Sequence, residues 1–356
     1  MPTPSGFVKP ATPLIIRFGR LGDMLLQEPL LHLLHRRYGR PCRVLTRGNW
    51  SDTLYSGHPD VAEVWQLLAR HRPIWISPER WWVIGALRRH SGPIYVSEDT
   101  RGGLKRIREL LGLARVPRER CVFINDSFIS PNEHWVDQMQ RFGRTTPAAF
   151  NADDYPCDET DPHTAPRLYL DAADHADADV WIKRRGFANA PIVLLQPGNW
   201  KTKRWGRKSV DPKFWPIAYW ADLLRAMHAD MPTAHLVLCG SAVETYVLDA
   251  IRQATNVGNV QVATNDLPIR RLLALLERAH SMVSVDSGPA HLAAAIGCPV
   301  AILYGSYSPA RWDRRSPFSK PVVNLGGPPQ FVRVADISSA QVISAWRNLQ
   351  GATQTA

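Results

Sequence analysis

Short apolar runs alternate along the chain with stretches of helical periodicity, and this alternation predicts parallel α/β architecture. In the first half, residues 14–18, 42–46, 61–67, 93–97 and 121–124 read as strands. The clearest helical stretch between them runs over 23–38, with Leu26, Leu30 and Leu34 on one face and Gly39 as the stop. From Thr145 to about Leu170 the pattern dissolves into Pro, Asp, Thr and Ala. Prolines 147, 156, 162 and 166 fit neither a helix interior nor a central strand, so this stretch reads as a linker. The alternation then restarts, with strands over 191–195, 235–239, 260–262, 281–285 and 300–303. Helices are predicted over 216–227, 242–254, 268–279 and 290–296. An amphipathic helix over 338–349 places Val342, Ile343, Trp346 and Leu349 on one side.

The expectation is therefore a GT-B layout: two Rossmann-like doubly wound α/β domains facing a central cleft. Residues 1–165 would form the N-terminal Rossmann-like domain and 166–335 the C-terminal one. Residues 336–356 would form a C-terminal helix packing back across both.

Composition narrows the function classes. With 45% hydrophobic and 21% charged residues the chain can bury a real core. Its 43 Lys+Arg against 32 Asp+Glu give a formal charge of +11, which favours anionic partners without choosing among them. No zinc-finger spacing or RNP-like strand supports nucleic acid as that partner. Arg36-Arg37, Arg88-Arg89 and Arg184-Arg185 fall at the ends of helical patterns, where they suit the negative end of the helix dipole. Cys42, Cys121, Cys157, Cys239 and Cys298 are odd in number and widely spaced, as expected of free thiols in a reducing compartment. No apolar signal core lies within residues 1–13, and no run reaches ~20 apolar residues, so a cytoplasmic protein is expected.

Three stretches carry candidate chemistry. In Val285-Asp286-Ser287-Gly288-Pro289-Ala290-His291 a strand meets a tight turn, and Pro289 sits where a first helical turn tolerates it. The backbone N–H groups beyond Ser287 would form an anion site at the carboxyl end of a strand. Asp286 and Ser287 would serve equally well as ordinary helix caps. In Arg17-Phe18-Gly19-Arg20-Leu21-Gly22-Asp23 a strand ends in two glycines, and Asp23 opens the next helix. The spacing is not that of a dinucleotide fingerprint. Asp23 is either an N-cap or a general base kept ionised by the helix N-terminus. Gln196-Pro197-Gly198-Asn199-Trp200-Lys201-Thr202-Lys203-Arg204-Trp205, followed by Lys213-Phe214-Trp215-Pro216, is dense in cations and aromatics. It would neutralise a diphosphate or stand as a solvated basic loop.

Taken together, in this order, these motifs resemble the ADP-heptose:lipopolysaccharide heptosyltransferase family, glycosyltransferase family nine. The resemblance runs from Leu14 to Pro309 and includes His58-Pro59-Asp60-Val61. It implies an inverting, metal-independent enzyme without cofactor that takes a nucleotide-diphosphate sugar, ADP-heptose foremost, with residues 1–165 as the acceptor-binding domain and 166–335 as the nucleotide-sugar-binding domain. Asp23 then matches the base, with Gly22 and Arg20 beside it on the acceptor side. Lys213 matches the lysine that holds the departing diphosphate, and Lys203 is a second candidate for that role. Ser287, Gly288 and Pro289 match the phosphate-side turn, Asp286 a contact to sugar hydroxyls, and His291 the motif's histidine. Glu244 matches a carboxylate on the ribose hydroxyls, and Leu267 an apolar contact to the base.

The acceptor implied is lipopolysaccharide core or another surface glycan, with peripheral contact to the cytoplasmic face of the inner membrane. A same-family transferase with another donor, or with a capsular or natural-product acceptor, is the alternative. An inactive binding module is a third reading. Trp75, Trp81 and Trp82, within the basic segment 70–89, would contact an amphipathic acceptor or membrane; core packing with helix-end charges is the preferred expectation.

Overall fold

The computed structural model describes residues 9–68, 77–157, 163–187, 190–199, 202 and 211–354. The chain forms two compact units, 1–166 and 167–356.

The first unit is built on five parallel strands: β1 (Leu14–Ile16), β2 (Cys42–Thr46), β3 (Val61–Gln66), β4 (Ile94–Val96) and β5 (Cys121–Phe123). Their order is β3-β2-β1-β4-β5, so the chain reverses direction across the sheet beside β1. The helices are α1 (Leu21–Leu25), α2 (Glu28–Tyr38), α3 (Ser51–Leu54), α4 (Pro78–Arg89), α5 (Arg101–Leu113) and α6 (Trp135–Arg144). β1 and β4 are buried along their whole length, as parallel strands covered on both faces must be.

The second unit carries six parallel strands in the order β11-β10-β9-β6-β7-β8. They are β6 (Ile192–Gln196), β7 (His235–Cys239), β8 (Val260–Ala263), β9 (Ser281–Val285), β10 (Val300–Tyr304) and β11 (Val322–Gly326). Its helices are α7 (Ala172–Arg185), α8 (Ile217–Asp230), α9 (Thr245–Thr255), α10 (Ile269–Arg278), α11 (Gly288–Ile296), α12 (Pro309–Trp312) and α13 (Ser339–Gln354). The predicted apolar face of α13 is real: Val342, Trp346 and Leu349 are buried, and the Trp346 indole donates to Ser281 Oγ at 3.0 Å. This helix packs on α8, β10 and β11.

Some expectations need correction. The single helix over 23–38 is two helices, because Pro29 cannot donate to the preceding turn and instead takes the first turn of α2. Gly39 does end α2, at φ 67°. The helix expected from 242 begins as a 3₁₀ turn, Ala242–Glu244, before α9. Strand β11 is an addition to the expected strands, its Val-Val-Asn-Leu-Gly run being only half buried at the sheet edge. Trp81 and Trp82 are not core residues. Both are about half exposed on α4, while Val83, Ile84 and Leu87 face inward. Trp75 lies outside the described residues. Cys42, Cys121, Cys239 and Cys298 are buried free thiols and Cys157 is partly exposed. Among the described residues no helix is long and apolar enough to cross a membrane.

Candidate functional site

In the second unit most of the residues singled out from the sequence lie just beyond the carboxyl ends of adjacent parallel strands. Gly198 follows β6, Glu244 follows β7, Leu267 follows β8 and Asp286 follows β9. Open α/β sheets bind ligands along this edge.

α11 starts at this edge. Ser287 is its N-cap in extended conformation, Gly288 and Pro289 form the first turn, and buried His291 follows. The capping alternative does not hold. The N-cap side chain makes no cap bond to this helix; the Ser287 hydroxyl meets Ser284 Oγ at 2.9 Å, and the Asp286 carboxylate is engaged elsewhere. The first N–H groups of α11 thus take no cap from Ser287.

Asp286 is the hub. One carboxylate oxygen pairs with Lys213 Nζ and the other with the Arg314 guanidinium. Lys213 Nζ also donates to the Asp286 backbone carbonyl at 3.0 Å and lies 4.6 Å from the Tyr307 ring centre. Arg314 is 3% exposed and further bonds Tyr304 Oη and, at 2.9 Å, the Trp312 carbonyl. Burial alone would raise the Asp286 carboxyl; the Arg314 and Lys213 charges outweigh it and hold the group well below the usual carboxylate range. Two cations against one carboxylate leave a local excess of positive charge beside a helix N-terminus. Arg314 was not foreseen, because it sits in Arg311-Trp312-Asp313-Arg314-Arg315, where no spacing distinguishes it from a surface cation.

Glu244 is also buried at this edge. Its Oε2 accepts from Ser241 N at 2.7 Å and Ser241 Oγ at 2.5 Å, forming a capping box. Its Oε1 is buried with no hydrogen-bond partner among the described residues. The backbone at Gly198 passes so close that a Cβ there would sit 1.8 Å from Oε1. Any side chain at that position would push the carboxylate aside. Leu267 is partly buried before α10. Lys203 lies outside the described residues, as does most of the basic loop around it.

The first unit holds Arg20, Gly22 and Asp23 beyond the carboxyl end of β1. Asp23 is about one third exposed, and its Oδ2 accepts from Arg20 N at 2.9 Å. Buried Arg17 sits 3.6 Å from Oδ1, donates to the Ser97 carbonyl, lies 3.4 Å from Asp99 and stacks 4.8 Å over Trp135. Gly19 allows the turn to close: a Cβ there would meet Asp23 Cβ at 2.6 Å. Asp23 is therefore both a first-turn cap and a carboxylate held open to solvent beside a fixed cation.

Two parallel α/β units of this kind, each presenting polar groups at the carboxyl ends of its strands, define a GT-B fold. The family model described as "Glycosyltransferase family 9 (heptosyltransferase)" matches residues 112–332. This chain belongs to glycosyltransferase family 9. It is 31% identical over 167 residues to lipopolysaccharide heptosyltransferase 1 of Pseudomonas aeruginosa, a match spanning 47% of this chain and 40% of that protein. Among solved structures it resembles E. coli ADP-heptose lps heptosyltransferase II, with TM-score 0.71, 19% identity, and coverage of 97% of this chain and 100% of that one. It also resembles E. coli heptosyltransferase WaaC with ADP, at TM-score 0.64, 17% identity and coverage of 95% and 99%. At these identities the structural likeness carries the fold.

Proposed function

We propose that this chain is an inverting glycosyltransferase that moves heptose, or a related sugar, from an ADP-activated donor to lipopolysaccharide core or another surface glycan. The observation that carries the proposal is the excess of fixed positive charge around Asp286 at the start of α11, one strand away from Gly198 and two from Glu244. A diphosphate fits there. Lys213 and the α11 N–H groups would meet the negative charge that develops on the leaving group. The unpartnered Glu244 Oε1 would accept from a ribose hydroxyl, and Leu267 would touch the base. Asp286 would hold Lys213 in place and reach the sugar hydroxyls.

On the acceptor side, Asp23 would take the hydroxyl proton as the oxygen attacks the anomeric carbon. The bond from that carbon to the diphosphate oxygen then breaks, and its electron pair leaves with the nucleotide. Family membership and the ADP bound in the WaaC structure support a nucleotide donor. Work at the cytoplasmic face of the inner membrane belongs to this reading.

Product analysis with candidate nucleotide-sugars and a lipid-A-core acceptor tests the proposal, alongside thermal shifts with ADP, UDP and GDP. Stabilisation by ADP alone, with turnover lost in Asp23→Asn, is expected. Equal stabilisation by UDP, or turnover unchanged in Asp23→Asn, would overturn the donor or the base respectively.

A further inference from the structure

Away from the residues given roles above, the first unit gathers four histidines and two carboxylates around α2. Glu28, His32 and His35 share one face of that helix at i, i+4 and i+7. His58 and Asp60 come from the turn before β3, and His163 from the chain beyond α6. Glu28, His58 and Asp60 are all buried, and each offers a ligand atom within 4.8 Å of the others. His58 Nε2 lies 3.3 Å from Glu28 Oε1. His163 Nε2 lies 3.0 and 2.8 Å from the two Glu28 oxygens. His32 Nδ1 is 3.0 Å and His35 Nδ1 2.6 Å from the Asp60 oxygens. The rings of His32 and His163 stack with centroids 4.2 Å apart, closing the circle at the surface.

We propose that this cluster is a divalent-cation site of the zinc class, with Glu28, His58, Asp60 and His163 as ligands and His32 and His35 as partners that orient Asp60. Donors about 2.0–2.2 Å from a tetrahedral ion lie roughly 3.3–3.6 Å from one another. The Glu28–His58 spacing already meets this, the Glu28–His163 pair needs to open by only a few tenths of an ångström, and Asp60, within 4.8 Å of Glu28 and His58, would draw in toward the ion. Mixed imidazole and carboxylate donors suit zinc and its transition-metal neighbours, whereas calcium and magnesium prefer oxygen alone.

Two buried carboxylates gain compensation from a bound divalent ion. Its place suggests a structural role. α2 follows directly on α1, which carries Asp23, and Tyr55 beside His58 donates to the Met24 carbonyl at 2.7 Å. An ion here would pin the base of that segment, and no step of sugar transfer runs through it.

The test is zinc titration of the chelator-treated full chain, read by calorimetry in two buffers and by thermal unfolding, with Co2+ absorption as a report on geometry. One equivalent should bind, raise the unfolding midpoint, and give the intense visible bands of a tetrahedral Co2+ site. Mg2+ and Ca2+ should do none of these. Glu28→Gln lies in the core and is able to unfold the chain, so His163→Gln at the rim is the decisive variant. It should weaken zinc binding by more than about tenfold while keeping the fold, whereas His175→Gln in the second unit should leave binding unchanged. Absence of stoichiometric binding, or binding that His163→Gln leaves intact, overturns the proposal.

Discussion

Lys213 and Asp286 are joined twice, by the ammonium–carboxylate pair and by the ammonium's bond to the Asp286 carbonyl at 3.0 Å. The lysine is thereby fixed before any ligand arrives, and its charge is shared with a carboxylate that Arg314 already serves. A preorganised cation loses little entropy when a diphosphate binds beside it. Replacing Lys213 by Met should lower turnover by about 10²–10³-fold, the scale of losing one transition-state donor. The fold should survive, since Arg314 still neutralises Asp286. A kcat drop smaller than tenfold in steady-state assays would remove Lys213 from the leaving-group role.

Arg314 should behave in the opposite manner. Its guanidinium is buried against Asp286 and Tyr304, so Arg314→Leu strands a carboxylate with only the lysine at the rim. Breaking one side of a buried pair costs about 3–5 kcal/mol. The variant should therefore unfold well below the parent in thermal melts, and Arg314→Leu combined with Asp286→Leu should recover much of the loss. Recovery absent in the double variant would mean that Arg314 stabilises through Tyr304 and the Trp312 carbonyl instead.

How much of this was legible in the sequence follows from which signals are local. Strand β9, the Asp-Ser-Gly turn and the proline after it announce a helix N-terminus from five consecutive residues. Strands as short as β4 were found because their apolar runs are bounded by Pro and Ser. Arg314 is invisible in the sequence because its importance comes from where the turn after α12 places it, against Asp286 and Tyr304, not from its neighbours in the chain. The polar face of α2 was passed over for a different reason. Leu26, Leu30 and Leu34 satisfy the helical period, and nothing in the spacing of Glu28, His32 and His35 marks that stripe as other than solvated surface. Burial of Glu28 at 0% exposure is what reverses that reading, and only the tertiary structure supplies it.

Gly19 offers a test of Asp23 that leaves the carboxylate in place. A methyl at residue 19 would overlap Asp23 Cβ at 2.6 Å and crowd the Arg17 guanidinium at 3.0 Å, so α1 must shift. A displacement on the order of 1 Å costs about 10²-fold where positioning governs rate. Gly19→Ala is expected to lose turnover by about that factor, with ADP affinity unchanged because the donor residues belong to the other unit. Full activity in Gly19→Ala would count against Asp23 as the base.

The histidine at residue 90 gives the first unit a pH dependence of its own. Burial, aided by the nearby Arg120 and Arg43 charges, pulls the His90 imidazole down to about 4. A base with a depressed folded value stays neutral while the unfolded chain takes up a proton. Stability is therefore fully present above about pH 6.5 and is lost as pH falls from there toward 4, by about 3 kcal/mol in all. Denaturant melts at pH 7 and pH 4.5 should show a smaller difference in His90→Gln than in the parent. An identical difference in both would place the acid sensitivity elsewhere.

Glu244 allows the ribose contact to be isolated from every other donor interaction. Its Oε2 is spent on the Ser241 cap, so only Oε1 has capacity left, and Gly198 closes over it from the adjoining strand. A ribose hydroxyl donating to that oxygen would make a charge-assisted bond worth about 1.5–3 kcal/mol, or roughly 10–100-fold in affinity. Two nucleotides and two proteins then form a cycle. The parent should bind ADP about 10–100-fold more tightly than a 2′,3′-dideoxy analogue, whereas Glu244→Ala should bind the two nearly alike. Because a general loss of fold weakens both nucleotides equally, only the difference between them reports the contact. Gly198→Ala, which forces the carboxylate aside, should give the same signature with the carboxylate still present. If the parent does not distinguish the two nucleotides, Glu244 is a helix cap and the ribose is held by other groups.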